Sequence, residues 1–142
     1  MSGYRFPIVP RYAEIDQQGV VFNGHYLTWF DEAATGLFDH LGVSFTELAR
    51  AGIDMQVVHC DIDFMSAVRW RDRVSVEVAC EHLGTTSFTL RFSVVTDETS
   101  RDRPAVRGRT VYVVVSDQDW TKRPIPEEMR GPLHSVLDAS DG

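Results

Sequence analysis

Asp16 opens the run Asp-Gln-Gln-Gly-Val-Val-Phe-Asn-Gly-His25, the segment of this chain whose residue types and spacing best suit chemistry. A carboxylate stands ahead of a glycine-bearing turn, a short apolar step and the start of a helical pattern. That order sets an acid beside the unpaired amides of a helix N-terminus, a geometry for attack on a polarised carbonyl. The same Asp ahead of Gly19 also suits a plain Asx turn, in which its side chain merely holds the loop. Glu14 fits a surface charge at a strand end better than a second acid. His59, Asp61 and Asp63 alternate on the polar face of one strand, so a solvated face or a subunit contact fits them better than a metal site. No metal is expected.

The elements that must hold Asp16 are legible in the periodicity. Residues 4–12 read as a strand which, carrying Pro7 and Pro10, belongs at a sheet edge. Asn23 is placed to cap a helix, with Phe22 and Leu27 forming a staple around it. Apolar residues then recur at Tyr26, Leu27, Phe30, Ala34, Leu37, Phe38 and Leu41, the helical period, until Gly42 stops the helix. Ser44 caps a shorter helix through Arg50, with Glu47 in capping-box register and Gly52 at its end. Beyond Gly52 the period becomes two. Val58, Cys60, Ile62 and Phe64, then Val74 to Cys80, then Phe88 to Val94, each predict a half-buried strand. Leu83 to Thr86 suits the turn between the last two of these. The run from Val106 to Ser116 becomes wholly apolar at Val111–Val115, which places it near the middle of the sheet or at a subunit contact. The tail, residues 118–142 with Pro124, Pro126, Gly131 and Pro132, is expected to be irregular. The pattern is α+β in a single domain spanning 1–142, with a core over about 4–117. One long helix rich in small residues (Ala33, Ala34, Gly36) lets a curved antiparallel sheet of five strands wrap closely around it.

Composition bounds the partners. The chain has 142 residues, 43% of them hydrophobic, and a formal charge of −7, which argues against nucleic acid. The N-terminal residues lack the apolar core of a signal peptide, and no stretch approaches a membrane span. Cys60 and Cys80 both fall in strand-like runs, so two buried thiols in a reducing cytoplasm are expected rather than a disulfide.

The order of elements and the motif together resemble the hot-dog fold, and within it the 4-hydroxybenzoyl-CoA thioesterase type of acyl-CoA thioesterase. The resemblance rests on Arg11-Tyr12, Glu14, Asp16, Gly19-Val20-Val21-Phe22, Tyr26-Leu27 and Phe30-Asp31-Glu32-Ala33. It continues through Val57-Val58, Phe64, Asp72 and Ser87-Phe88. It implies hydrolysis of a thioester to free acid and coenzyme A, with CoA as part of the substrate and no separate cofactor. It maps the family's carboxylate onto Asp16, as nucleophile or general base, and the carbonyl-polarising amides onto Asn23 and Gly24. Phe22, His25 and Trp29 become pocket candidates, although aromatics near a helix start serve equally as core. It also implies a homodimer or homotetramer with active sites at subunit junctions.

The chain departs from that pattern in two places. Many relatives carry a His seven residues after the acid; here Asn23 stands there and the nearest His is His25. The basic cluster that some aromatic-specific relatives carry before the Ser-Phe pair is replaced by Leu83-Gly-Thr-Thr86. Arg69, Arg71 and Arg73, or else Arg107 and Arg109, are then the candidates for the CoA phosphates, the first set reading otherwise as a solvated loop. Two other functions fit the same fold: a hydratase or dehydratase, which wants a His paired with an acid, and a non-catalytic acyl-CoA-binding module, which has no need of Asp16.

Overall fold

The computed structural model describes residues 3–138; residues 1, 2 and 139–142 of the 1–142 span lie outside the described residues. Strands β1 (Tyr4–Ile8), β2 (Ile53–Phe64), β3 (Val74–Leu83), β4 (Ser87–Thr96) and β5 (Val106–Ser116) form one sheet. It is antiparallel throughout, in the order β1-β3-β4-β5-β2. Against its inner face lie α1 (His25–Leu41) and the shorter α2 (Phe45–Arg50). This is the α+β, five-stranded antiparallel layout of the hot-dog fold.

Local chemistry explains the boundaries. Gly42 closes α1 in the left-handed region (φ 76°), where a side chain would clash with the backbone. Ser44 caps α2 by accepting from the Glu47 amide at 3.2 Å. Glu47 does not complete a box; its carboxylate turns to Arg50 at 2.8 Å. The β3–β4 turn closes with the Gly84 amide donating to the Ser87 carbonyl at 2.8 Å. Pro7 sits on β1, a sheet edge, and β5 runs inside the sheet between β4 and β2, as its apolar run demands.

The small residues do the expected work. Ala33 is fully buried, and a Cβ added at Gly36 would come within 2.5 Å of the Phe6 ring. Gly108 likewise admits Phe30, which stacks on Phe92 with ring centroids 4.6 Å apart.

Four expectations are corrected. The tail is not wholly irregular, because Glu127–Ser135 forms a third helix, α3. Pro126 occupies its cap with extended backbone, and Pro132 costs it a hydrogen bond in mid-helix. Burial of Met129 and Leu133 outweighs that loss, and Arg130 ties the helix to the Gly84 and Thr85 carbonyls. In β2 a bulge between Val57 and His59 makes Val58 the extra residue, so Val57, Cys60, Ile62 and Phe64 share the inner side. Cys60, on the edge strand β2, is exposed, and only Cys80 is a buried thiol. Finally, α1 begins at His25 with Gly24, not Asn23, at its cap, and a Phe22–His25 edge contact (6.0 Å) replaces the Phe22–Leu27 staple.

The buried acids set an alkaline limit on stability. Burial pushes the Cys80 thiol from 9.0 up to about 11. Burial raises Tyr26 from 10.0 to about 12 and raises Tyr112 as well. For each, the folded state favours the neutral form. Its contribution is therefore complete below the unfolded value and is lost as pH climbs toward the folded one. The urea midpoint is expected to hold up to about pH 9 and then fall. Replacing Cys80 by alanine should delay that fall to about pH 10, where Tyr26 takes over.

Candidate active site at the Asp16 turn

Residues 14–22 fold back on themselves as a short antiparallel pair. The Asp16 amide donates to the Val20 carbonyl (2.9 Å), the Gly19 amide to the Asp16 carbonyl (3.0 Å), and the Phe22 amide to the Glu14 carbonyl (2.9 Å). Gly19, at φ 78°, supplies the left-handed residue that the turn requires. Within it, Asp16 Oδ1 accepts from the Gln18 amide at 2.8 Å, so the Asx turn is real. Oδ2 meets no protein donor among the described residues. Half-buried Asp16 therefore keeps one oxygen for the fold and one for a reacting group.

Glu14 anchors this loop to the helix. Its Oε1 accepts from the Arg11 amide at 2.7 Å and its Oε2 from the Trp29 indole N–H at 2.8 Å. It is thus a positioning residue rather than a loose surface charge. Trp29 is buried, with its indole N–H held by Glu14 and its ring in a T-shaped contact with Tyr26 (5.2 Å). Phe22 is half exposed and His25 half-buried beside it. The amides of Asn23 and Gly24 donate to no protein acceptor among the described residues, whereas that of His25 is taken by the Phe22 carbonyl at 3.0 Å.

Tyr26 escapes a reading of the sequence because it falls on the apolar stripe of α1. Burial dominates its raised value; a hydrogen bond with the Val68 backbone lowers it, and the charges of Asp16 and Asp72 raise it. The hydroxyl is therefore neutral at any physiological pH. Its ring meets Phe64, at the end of β2, at 5.7 Å. The only signal in the sequence was a polar tip on a buried position.

The arginine candidates separate. Residues 68–69 run beside the Asp16 turn, with the Val21 amide donating to the Val68 carbonyl (2.8 Å) and Val20 bridged to Arg69. Arg69, Arg71 and Arg73 line one groove there, facing Asp97 and Glu98. Arg107 and Arg109 instead project from the outer side of the sheet, where Arg109 pairs with Glu81 (3.3 Å) and Asp61 (3.8 Å). The His59 ring pairs with Asp61 at 3.3 Å, and among the described residues no group of metal-ligating side chains converges.

The thioesterase-superfamily family model matches residues 18–101, more than half of the chain. The chain belongs to the thioesterase superfamily. The matched stretch begins just after Asp16, so the acid itself lies outside it. Within this enzyme superfamily, a 1,4-dihydroxy-2-naphthoyl-CoA hydrolase of Synechococcus elongatus is 24% identical over 140 residues, covering 97% of this chain and all of that protein. Two crystal structures share the fold. The PA5185 protein of Pseudomonas aeruginosa superposes with a TM-score of 0.86 at 22% identity, over 97% of this chain and 94% of that one. Slr0204 of Synechocystis, a 1,4-dihydroxy-2-naphthoyl-CoA thioesterase, gives 0.85 at 19% identity, over 94% and 97%.

Proposed function

We propose that this protein hydrolyses acyl-CoA thioesters to a free carboxylic acid and coenzyme A, in the manner of the 4-hydroxybenzoyl-CoA thioesterase type. The observation that carries the reading is the Asp16 turn: one carboxylate oxygen fixed by the Gln18 amide, the other open, on the loop that leads into the unspent amides of Asn23 and Gly24. Those amides, at the positive end of α1, stabilise the negative charge that develops on the thioester oxygen. Asp16 then acts in one of two balanced ways. As nucleophile, its oxygen bonds to the acyl carbon, the C–S bond breaks, CoA leaves as thiolate, and water cleaves the resulting anhydride. As general base, it takes a proton from the water that attacks the same carbon. Phe22 and His25 border the approach, and Arg69, Arg71 and Arg73 lie on the side where the CoA phosphates would extend.

The same reading includes a homodimer, with a tetramer as a dimer of dimers, built on the open edge of β2. A cytoplasmic setting suits the two free cysteines. Among the described residues no helix is long and apolar enough to cross a membrane.

The test is enzyme-dependent thiol release from a panel of short-chain, long-chain and aromatic CoA esters, the aromatic ones suggested by the naphthoyl-CoA relative. Release from at least one ester at a turnover above about 1 per second is expected. Binding of acyl-CoA without release, or addition of water to crotonyl-CoA with the thioester intact, would replace hydrolysis by a sensor or a hydratase.

A further inference from the structure

The loop after β2 carries a surface that the chemistry at Asp16 does not use. Trp70 is 44% exposed and Tyr12, contributed by the turn just before Asp16, is 74% exposed. Their rings meet edge to face at 5.3 Å, and the Arg71 guanidinium lies 4.3 Å over the indole. Water-facing aromatic rings beside a guanidinium gain nothing from burial in this chain, whereas flat bases stack on such groups.

The loop is held firmly in this arrangement. Arg71 adopts a left-handed φ of 71°, unusual for a residue with a Cβ. The turn is locked by Asp72, whose Oδ2 accepts from the Arg69 amide (2.8 Å) and whose amide donates to the Arg69 carbonyl (3.2 Å). Arg69, Arg71 and Arg73 make no ion pair among the described residues, on a chain with a formal charge of −7. Backbone pairing of 68–69 with 20–21 ties the whole surface to the Asp16 turn.

We propose that Trp70 and Tyr12, with Arg71, form the platform on which the adenine of the substrate's nucleotide stacks, while Arg69 and Arg73 meet its phosphates. The proposal rests on the acyl-CoA reading above. The base takes the indole face, and the long Arg71 side chain turns from the ring to the phosphates. The platform thus recognises the carrier rather than the acyl group, and it anchors the far end of a substrate whose flexible arm reaches Asp16.

The experiment compares two esters of one acyl group, the CoA thioester and the pantetheine thioester, which lacks the nucleotide. In Trp70→Ala the ratio of kcat/KM for the first to that for the second is expected to fall about tenfold, through KM, while Trp70→Phe keeps it within about twofold. Titration with adenosine 3′-phosphate 5′-diphosphate should show the same tenfold weakening, and titration with inorganic pyrophosphate no change. Equal loss on both esters, an unchanged ratio, or a changed mass by light scattering would overturn the platform. If the wild-type protein releases no thiol at all, hydrolysis fails, and the nucleotide titration still decides the platform by itself.

Discussion

Replacing Asp16 by asparagine is expected to cut thiol release from the best acyl-CoA ester by a factor of about 10²–10⁴ with the fold intact. Asparagine has nearly the same shape, and its carbonyl oxygen can still accept from the Gln18 amide, so the turn is retained. What it lacks is the negative charge and the proton-accepting second oxygen, and both proposed routes need these. The loss should therefore appear in kcat, with the unfolding free energy from urea titration within about 0.5 kcal/mol of the parent protein. Alanine at the same position removes the turn's hydrogen bond as well, and about 1 kcal/mol of stability with it. Glutamate keeps the charge but moves it by a methylene, and a displacement near 1 Å at a reacting centre costs about 10²-fold. The three variants thus separate charge, position and fold. Full activity in Asp16→Asn would remove the carboxylate from the mechanism and leave the backbone amides of Asn23 and Gly24 as the only argument for the site.

Most of the fold was legible because it is written in local signals. The change of period after Gly52 divides the two helices from the four strands that follow. Pro7 marked an edge and the apolar run of β5 marked an interior strand, both from single-strand chemistry. The larger misses share a physical cause, namely that each depends on a partner distant in sequence. Alternation in β2 correctly signalled a strand but could not show that it lies at the sheet edge, where Cys60 and Phe64 stay in contact with water. Prolines in the tail argued against a helix, and only the burial of Met129 and Leu133 overrides them. At the site, Asp16 was legible from its spacing to Gly19 and the helix start. Glu14 was not, because its role is set by the Trp29 indole fifteen residues away. Tyr26 and Trp70 were hidden in opposite ways: the first is a polar tip inside an apolar stripe, the second an aromatic ring left outside the core.

The open edge of β2 yields the second large effect, and its cause lies between protomers. β2 is the longest strand, pairs with β5 on one side only, and carries exposed Val57, Val58 and Phe64, followed by Met65. A long unpaired edge with an apolar inner side is a template for another strand, and the proposed homodimer sets a second copy of β2 against it about a two-fold axis. That axis doubles any substitution, because each variant residue enters the interface twice. The pair Val57→Lys and Phe64→Lys places like charges in a surface from which water must be excluded. Association should weaken by about 2–4 kcal/mol per truncated anchor. Light scattering is expected to fall from twice the chain mass to the 16.1 kDa of one chain. Far-UV circular dichroism should hold, since both side chains are already exposed in the single protomer. Hydrolysis should fall with the mass. Phe64 meets Tyr26 in the first turn of α1, just after the Asn23 and Gly24 amides, so the end of β2 borders the proposed site and a partner strand laid along it would close that side. A wild-type protein that runs as a monomer at assay concentration and hydrolyses acyl-CoA at full rate would sink the dimer. A dimeric but inactive variant would instead place Phe64 in the pocket of its own protomer, and the two results are read from the same sample.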